Sequence, residues 1–194
     1  MRAPVTSIVA IVLALVLAGA CGGDGGGTSA PGLTIPANTT APPITLSGTP
    51  VPTRPAPPPP EGVETFTVAS ATHASGRVDY AQAPPVGGPH SPGWEPCGFY
   101  AGPVSSEAAV HSLEHGAVWV TYRPDLAPAE IAVLEALARS RSHILVSRWD
   151  DGLPAPVVAS SWGRQLRLPS ATDPRLAQFV SAFIGQAPEP NASC

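Results

Sequence analysis

Lysine is absent from this chain of 194 residues: all ten basic residues are arginine, set against 14 acidic ones, for a net charge of −4. A mildly acidic chain has no basic face with which to displace the counterions of a nucleic acid, so nucleic acid is not an expected partner. The missing lysine also excludes a phosphate loop at Val86-Gly87-Gly88-Pro89, because no helix of the required pattern follows it either. Charged residues are only 12% of the chain and aromatics 6%. Methionine occurs once, at position 1. A chain that loses Met1 with a leader has no thioether for Cu(I) and no axial methionine for a blue-copper centre.

What is abundant is proline, with 26 residues, and glycine, with 19. Arg2 followed by the aliphatic run Ile8–Ala20 reads as an export signal over residues 1–21. At 13 residues that run is short of the roughly 20 needed to span a bilayer. It ends Leu17-Ala18-Gly19-Ala20-Cys21, which resembles a bacterial lipobox and makes Cys21 the expected lipidation site. The alternative is an ordinary cleavage site at Ala18-Gly19-Ala20 that releases a secreted protein. The expected location is extracytoplasmic, with the protein held to the cell membrane by its N-terminal lipid. Residues 22–61 carry eleven prolines and little that can be buried, so they read as a disordered Gly/Thr/Pro-rich stalk. Extended at about 3.1 Å per residue, it reaches on the order of 100 Å.

The folded unit is then 62–194. Setting Cys21 aside leaves Cys97 and Cys194, an even pair in an oxidising compartment and the expected disulfide. A metal thiolate or a redox thiol at Cys97 is the alternative. Short strands are expected at Thr65–Val68 and Val78–Tyr80, followed by a long Pro/Gly-rich loop from 84 to 100. A helix runs from about Ser106 to His115, with Ser105 or Ser106 as its cap, Glu107 in its first turn and Gly116 beyond its end. Ala117–Tyr122 alternates as a strand with Val118, Val120 and Tyr122 on one face. Pro128 opens a helix whose stripe is Ile131, Leu134, Leu137 and Ala138. Strands follow at His143–Ser147, Pro156–Ser160 and Gln165–Leu168. A last helix is capped by Asp173, opened by Pro174 and stopped at Gly185. The expected class is α+β: one small domain with a mostly antiparallel sheet covered by two or three helices.

The chemistry lies in the histidines. His111 and His115, at i and i+4, project from one face of the short helix, a common way to offer two nitrogens to one metal ion. Glu107 and Glu114 share that side, while Ala109, Val110 and Leu113 form the apolar side. His90, on a proline- and glycine-stiffened loop, and His73 are the further candidate ligands, and His143 reads as structural. The metal set is therefore His90, His111, His115 and His73, with Glu114 and Glu107 as supporting groups or bases. Imidazole-rich sites suit copper or zinc. The string His111-Ser112-Leu113-Glu114-His115 also fits the H-x-x-E-H pattern of a zinc hydrolase with Glu114 as base. Those enzymes place the pattern inside a long helix with a distant glutamate, whereas Gly116 and a strand follow here at once.

Three stretches together resemble a known family: Pro84-Pro85-Val86-Gly87-Gly88-Pro89-His90, Cys97-Gly98-Phe99-Tyr100, and Val110-His111-Ser112-Leu113-Glu114-His115-Gly116-Ala117-Val118-Trp119-Val120-Thr121-Tyr122. They are similar to the bacterial domain of unknown function 3105, and the likeness continues through Ala159-Ser160-Ser161-Trp162-Gly163 to the last helix. The resemblance implies an exported or membrane-anchored protein with His90, His111 and His115 as motif histidines and His73 as a weaker match. It implies no activity. The family has serine where this chain has Gly87, a change expected to leave the loop undisturbed. The leading expectation is a metal-binding lipoprotein rather than an enzyme. A metal-dependent hydrolase using Glu114, or an envelope partner-binding module without metal, are the alternatives.

Overall fold

The computed structural model describes residues 55–190 and 192–194. The export segment 1–21, the lipidation site Cys21 and the stalk through residue 54 lie outside the described residues. Within them the elements are β1 (Glu64–Thr65), β2 (Gly98–Tyr100), α1 (Ser106–Glu114), β3 (Val118–Tyr122), α2 (Pro128–Ser140), β4 (Ile144–Arg148), β5 (Val157–Ser161), β6 (Arg164–Leu168) and α3 (Pro174–Phe183). The strands form one sheet in the order β1-β6-β5-β3-β4-β2. The fold is α+β, and the sheet is mixed. β3 pairs in parallel with β4, and β4 with β2, while the pairings of β3 with β5, β5 with β6 and β6 with β1 are antiparallel. The parallel half follows from α2, which supplies the crossover that two parallel neighbours require.

Alternation along the strands divides the interior into two layers. Val118, Val120 and Tyr122 of β3, Ile144 and Val146 of β4, and Leu166 and Leu168 of β6 meet Leu134 of α2 and Leu176, Phe179 and Val180 of α3. Trp119 and Leu145 point to the opposite face and meet Ala109 and Leu113 of α1. That second face is partly polar. The Trp119 indole N–H donates to Ser147 Oγ at 2.9 Å, and Gln165 Nε2 donates to Ser160 Oγ at 3.1 Å and to the Pro84 carbonyl at 2.9 Å. β3 is buried along its whole length because helices cover both faces of the sheet at its centre.

Each helix begins where local chemistry starts it. The Ser105 hydroxyl accepts the Ala108 N–H at α1, and the Asp173 carboxylate accepts the Arg175 N–H at α3. Pro128 and Pro174 open α2 and α3, where a missing N–H costs nothing. α1 ends at Gly116, whose φ of 93° is open to glycine alone at little cost, and whose carbonyl accepts the Gly185 N–H at 2.8 Å. Among the described residues no helix is long and apolar enough to cross a membrane.

Four expectations need correction. Only Glu64–Thr65 of the first expected strand pairs in the sheet, with Gln165 and Arg164. Val78–Tyr80 is not a strand, because its polar groups are satisfied elsewhere: the Val78 N–H by the Glu107 carboxylate at 3.0 Å, and the Tyr80 hydroxyl by the Pro89 carbonyl at 2.7 Å. The long loop contains the edge strand β2, three residues too short for their alternation to register. Nor would serine fit at Gly87 without movement: a Cβ there, at φ 146°, would lie 2.8 Å from Val68 Cγ2. The loop is otherwise pinned. Its Val86 carbonyl accepts the Gly163 N–H at 2.7 Å, and Ser112 Oγ both receives the Glu95 N–H at 3.1 Å and donates to the Glu95 carbonyl at 2.6 Å.

Candidate metal centre

α1 packs its apolar side on the sheet, so His111 and Glu114 face away from the sheet, under the loops. There they meet His90 and His73. The latter two are joined by an isolated parallel bridge, in which the His90 N–H donates to the Thr72 carbonyl at 3.0 Å and the Ala74 N–H to the His90 carbonyl at 2.7 Å. One potential ligand atom from each of His73, His90, His111 and Glu114 lies within 4.8 Å of all the others. Three of the four side chains are buried; His73 is the exposed member. The imidazole centroids of His73, His90 and His111 form a triangle with sides of 5.1, 5.0 and 4.9 Å.

Backbone carbonyls set the tautomers. His90 Nδ1 lies 2.9 Å from the Gly88 carbonyl, and His111 Nδ1 lies 2.7 Å from that of Ser91. A carbonyl only accepts, so each Nδ1 carries the proton and each Nε2 keeps its lone pair, the arrangement that orients histidine as a metal ligand. Burial holds the His111 imidazole below its ordinary pKa; neighbouring His115, His90 and His73 press it the same way, against the Ser91 carbonyl, which favours the charged ring. A neutral His111 is a competent donor.

His90 Nε2 is fully buried and makes no hydrogen bond. It lies 3.0 Å from Glu114 Oε2, close in distance but misaligned for hydrogen bonding. Beyond that contact, Glu114 has no ion-pair partner among the described residues, although its side chain is almost wholly buried. A buried carboxylate facing bare imidazole nitrogens is costly unless a cation shares the space.

The other sequence candidates are placed elsewhere. His115 stands outside the group of four: its Nδ1 donates to the Ser193 carbonyl, and its Nε2 lies 3.9 Å from Glu189 Oε2. Glu107 accepts from the Val78 N–H and from the Ser105 hydroxyl at 2.9 Å, at the other end of α1. Burial raises its pKa, but these donors and Arg77 more than offset that and hold the carboxyl below its usual range. His143 Nε2 donates to the Ala192 carbonyl at 3.0 Å, in keeping with a structural role. Cys97 and Cys194 form the disulfide, with Cα atoms 5.1 Å apart, so Cys97 is not a thiolate ligand.

Residues 72–194 match the family described as "Protein of unknown function (DUF3105)". The chain belongs to this family. The matched region of the DUF3105 domain opens at the residue before His73 and holds all four members of the cluster together with the disulfide. No curated protein and no solved structure matches the chain.

Sequence reasoning missed the Gly88 and Ser91 carbonyls that orient the rings, Trp94, and the C-terminal tail. The Trp94 ring is 6.0 Å from that of His111 and 5.4 Å from that of His115. The spacing Gly88-Pro89-His90 is the available signal for the first of these carbonyls, since a stiff turn two residues from a histidine brings a backbone oxygen to its ring; the Ser91 carbonyl meets a ring 20 residues away and has no local signal.

Proposed function

We propose that this DUF3105 domain binds one transition-metal ion, copper or zinc, through His73, His90, His111 and Glu114, and that it does so outside the cytoplasm on a lipid-anchored stalk. The observation that carries the reading is the buried, unbonded Nε2 of His90 beside the buried carboxylate of Glu114. Metal–ligand bonds of about 2.0–2.2 Å place ligand atoms roughly 3.3–3.6 Å apart around a tetrahedral ion. A group already within 4.8 Å reaches that by small side-chain adjustments.

Three imidazoles and one carboxylate suit Zn(II) and Cu(II), and among the described residues no free thiolate or thioether stands beside them to favour Cu(I). Binding is favoured over hydrolysis because Glu114 sits among the ligand atoms, which leaves it no separate role as general base. The anchoring part of the proposal rests on residues 1–21 and the lipobox-like Leu17-Ala18-Gly19-Ala20-Cys21.

The test is metal content by mass spectrometry on the full chain, exported to an oxidising compartment and purified without a histidine tag. About one copper or zinc per chain, lost in His111→Ala, is the expected result. A wild-type chain that stays empty after incubation with Zn(II) and Cu(II) would leave the cluster a structural network and sink the proposal.

A further inference from the structure

His115 was expected among the ligands, and its exclusion has a specific cause. The C-terminal tail lies against the end of α1 and takes hold of this ring. The Glu189 N–H donates to the carbonyl of Glu114 at 2.9 Å, His143 holds the Ala192 carbonyl, and Cys194 is tied to Cys97. These contacts set the Ser193 carbonyl on His115 Nδ1 and the Glu189 carboxylate opposite His115 Nε2.

With the proton on Nδ1, the lone pair of His115 Nε2 faces a carboxylate oxygen across 3.9 Å. Two acceptors in that relation repel each other until Nε2 takes up a proton or the two share a cation, so the pair offers one nitrogen and one oxygen to a metal ion that competes with the proton. The gap is a few tenths of an ångström wider than the roughly 3.3–3.6 Å between ligand atoms around a tetrahedral ion, a difference that a small rotation of the exposed Glu189 side chain closes. The pair is also beside the inner cluster: the His115 ring is 4.5 Å from that of His111, and Trp94 packs on both. Glu189 is largely exposed, so water can complete the coordination.

The geometry points to a second, outer metal position formed by His115 Nε2 and Glu189 Oε2, next to the inner cluster and taking a divalent ion of the zinc or copper class. This inference rests on the inner site of the proposed function. With two protein ligands rather than four, the outer position is the weaker, by at least about tenfold, the least that loss of even one supporting contact costs a metal site.

The experiment is a Zn(II) titration of the oxidised full chain against a chromophoric chelator, with Glu189→Gln and His115→Gln beside it and circular dichroism to confirm folding. Glu189 is exposed, so its variant keeps the fold even if His115→Gln does not. The expected result is two equivalents in wild type and loss of the weaker one alone in Glu189→Gln and in folded His115→Gln. A single equivalent in wild type, or a second equivalent that survives either substitution in a folded chain, overturns the outer position and leaves the inner one standing. No binding at all overturns both.

Discussion

His90 Nε2 and Glu114 Oε2 lie 3.0 Å apart inside the protein without a hydrogen bond between them. A structural pair would be aligned, and breaking it would be costly. A pair arranged to share a cation has the opposite signature: removing the charge relieves the metal-free protein. Glu114→Gln keeps the shape and removes the charge. The expected outcome is metal affinity lower by at least about tenfold, with metal-free stability unchanged or raised, read from denaturant midpoints with and without Zn(II). A metal-free loss of about 3 kcal/mol or more, the size expected for breaking a buried ion pair, would mark Glu114 and His90 as a structural pair.

The metal-free domain should lose stability on acidification in two windows. His111 has its folded-state pKa pushed below the ordinary 6.5 by burial and by the neighbouring imidazoles. The unfolded chain therefore takes up this proton first, and stability falls as pH drops below that value towards the depressed one. Glu107 is also held below its ordinary 4.5, with the Val78 and Ser105 hydrogen bonds outweighing burial. Its contribution is present above 4.5 and fades as pH falls through the lowered folded value. Denaturant unfolding as a function of pH, with His111→Ala and Glu107→Gln beside wild type, assigns each window. A first window that persists in His111→Ala would show that another group is responsible.

The helices were legible in the sequence because their boundaries are local. Ser105, Asp173, Pro128 and Gly116 act within one turn of the chain, and the observed elements start and stop on them. The central strands were legible from alternation, since Val118, Val120 and Tyr122 do share a core face. Edge pairing was not. Whether Phe66–Val68 stays in the sheet depends on distant partners such as Gly163, and β2 exists only because β4 lies beside it. For the site, helical spacing identified His111 and His115 as neighbours but could not show that a tail more than 70 residues away in sequence would occupy His115. The same limit bears on Glu114, which the sequence offers as a supporting group or base on the correct side of α1 and which only the fold of the His90 loop brings to a ligand position.

Gly116→Ala tests the turn that delivers β3 from α1. The residue sits at φ 93°, and a Cβ built on it would lie 2.8 Å from the Gly185 Cα, which is backbone and has little room to yield. Strain and clash act together, so the expected cost is about 1–3 kcal/mol or somewhat more. Thermal or denaturant unfolding reads it directly. An effect under about 0.5 kcal/mol, the range of an ordinary surface substitution, would mean that α1 and the 185 turn do not meet as described.

The disulfide closes a sequence separation of 97 residues, which places it near the upper end of what chain-entropy arguments give, about 4–5 kcal/mol. The double substitution Cys97→Ser/Cys194→Ser is the correct probe, since either single variant leaves one unpaired thiol in place of the bond. The expected loss is about 2–5 kcal/mol. Its local consequence is more specific than its size. The Ser193 and Ala192 carbonyls stay on His115 and His143 only while the tail is present, so severing its covalent end should release both rings. Nitrogen-detected histidine spectra of the oxidised and double-variant proteins would show His115 and His143 changing while His90 and His111, held by the Gly88 and Ser91 carbonyls, do not. If all four rings change together, the tail supports the whole cluster; if none does, its non-covalent contacts are enough to hold it.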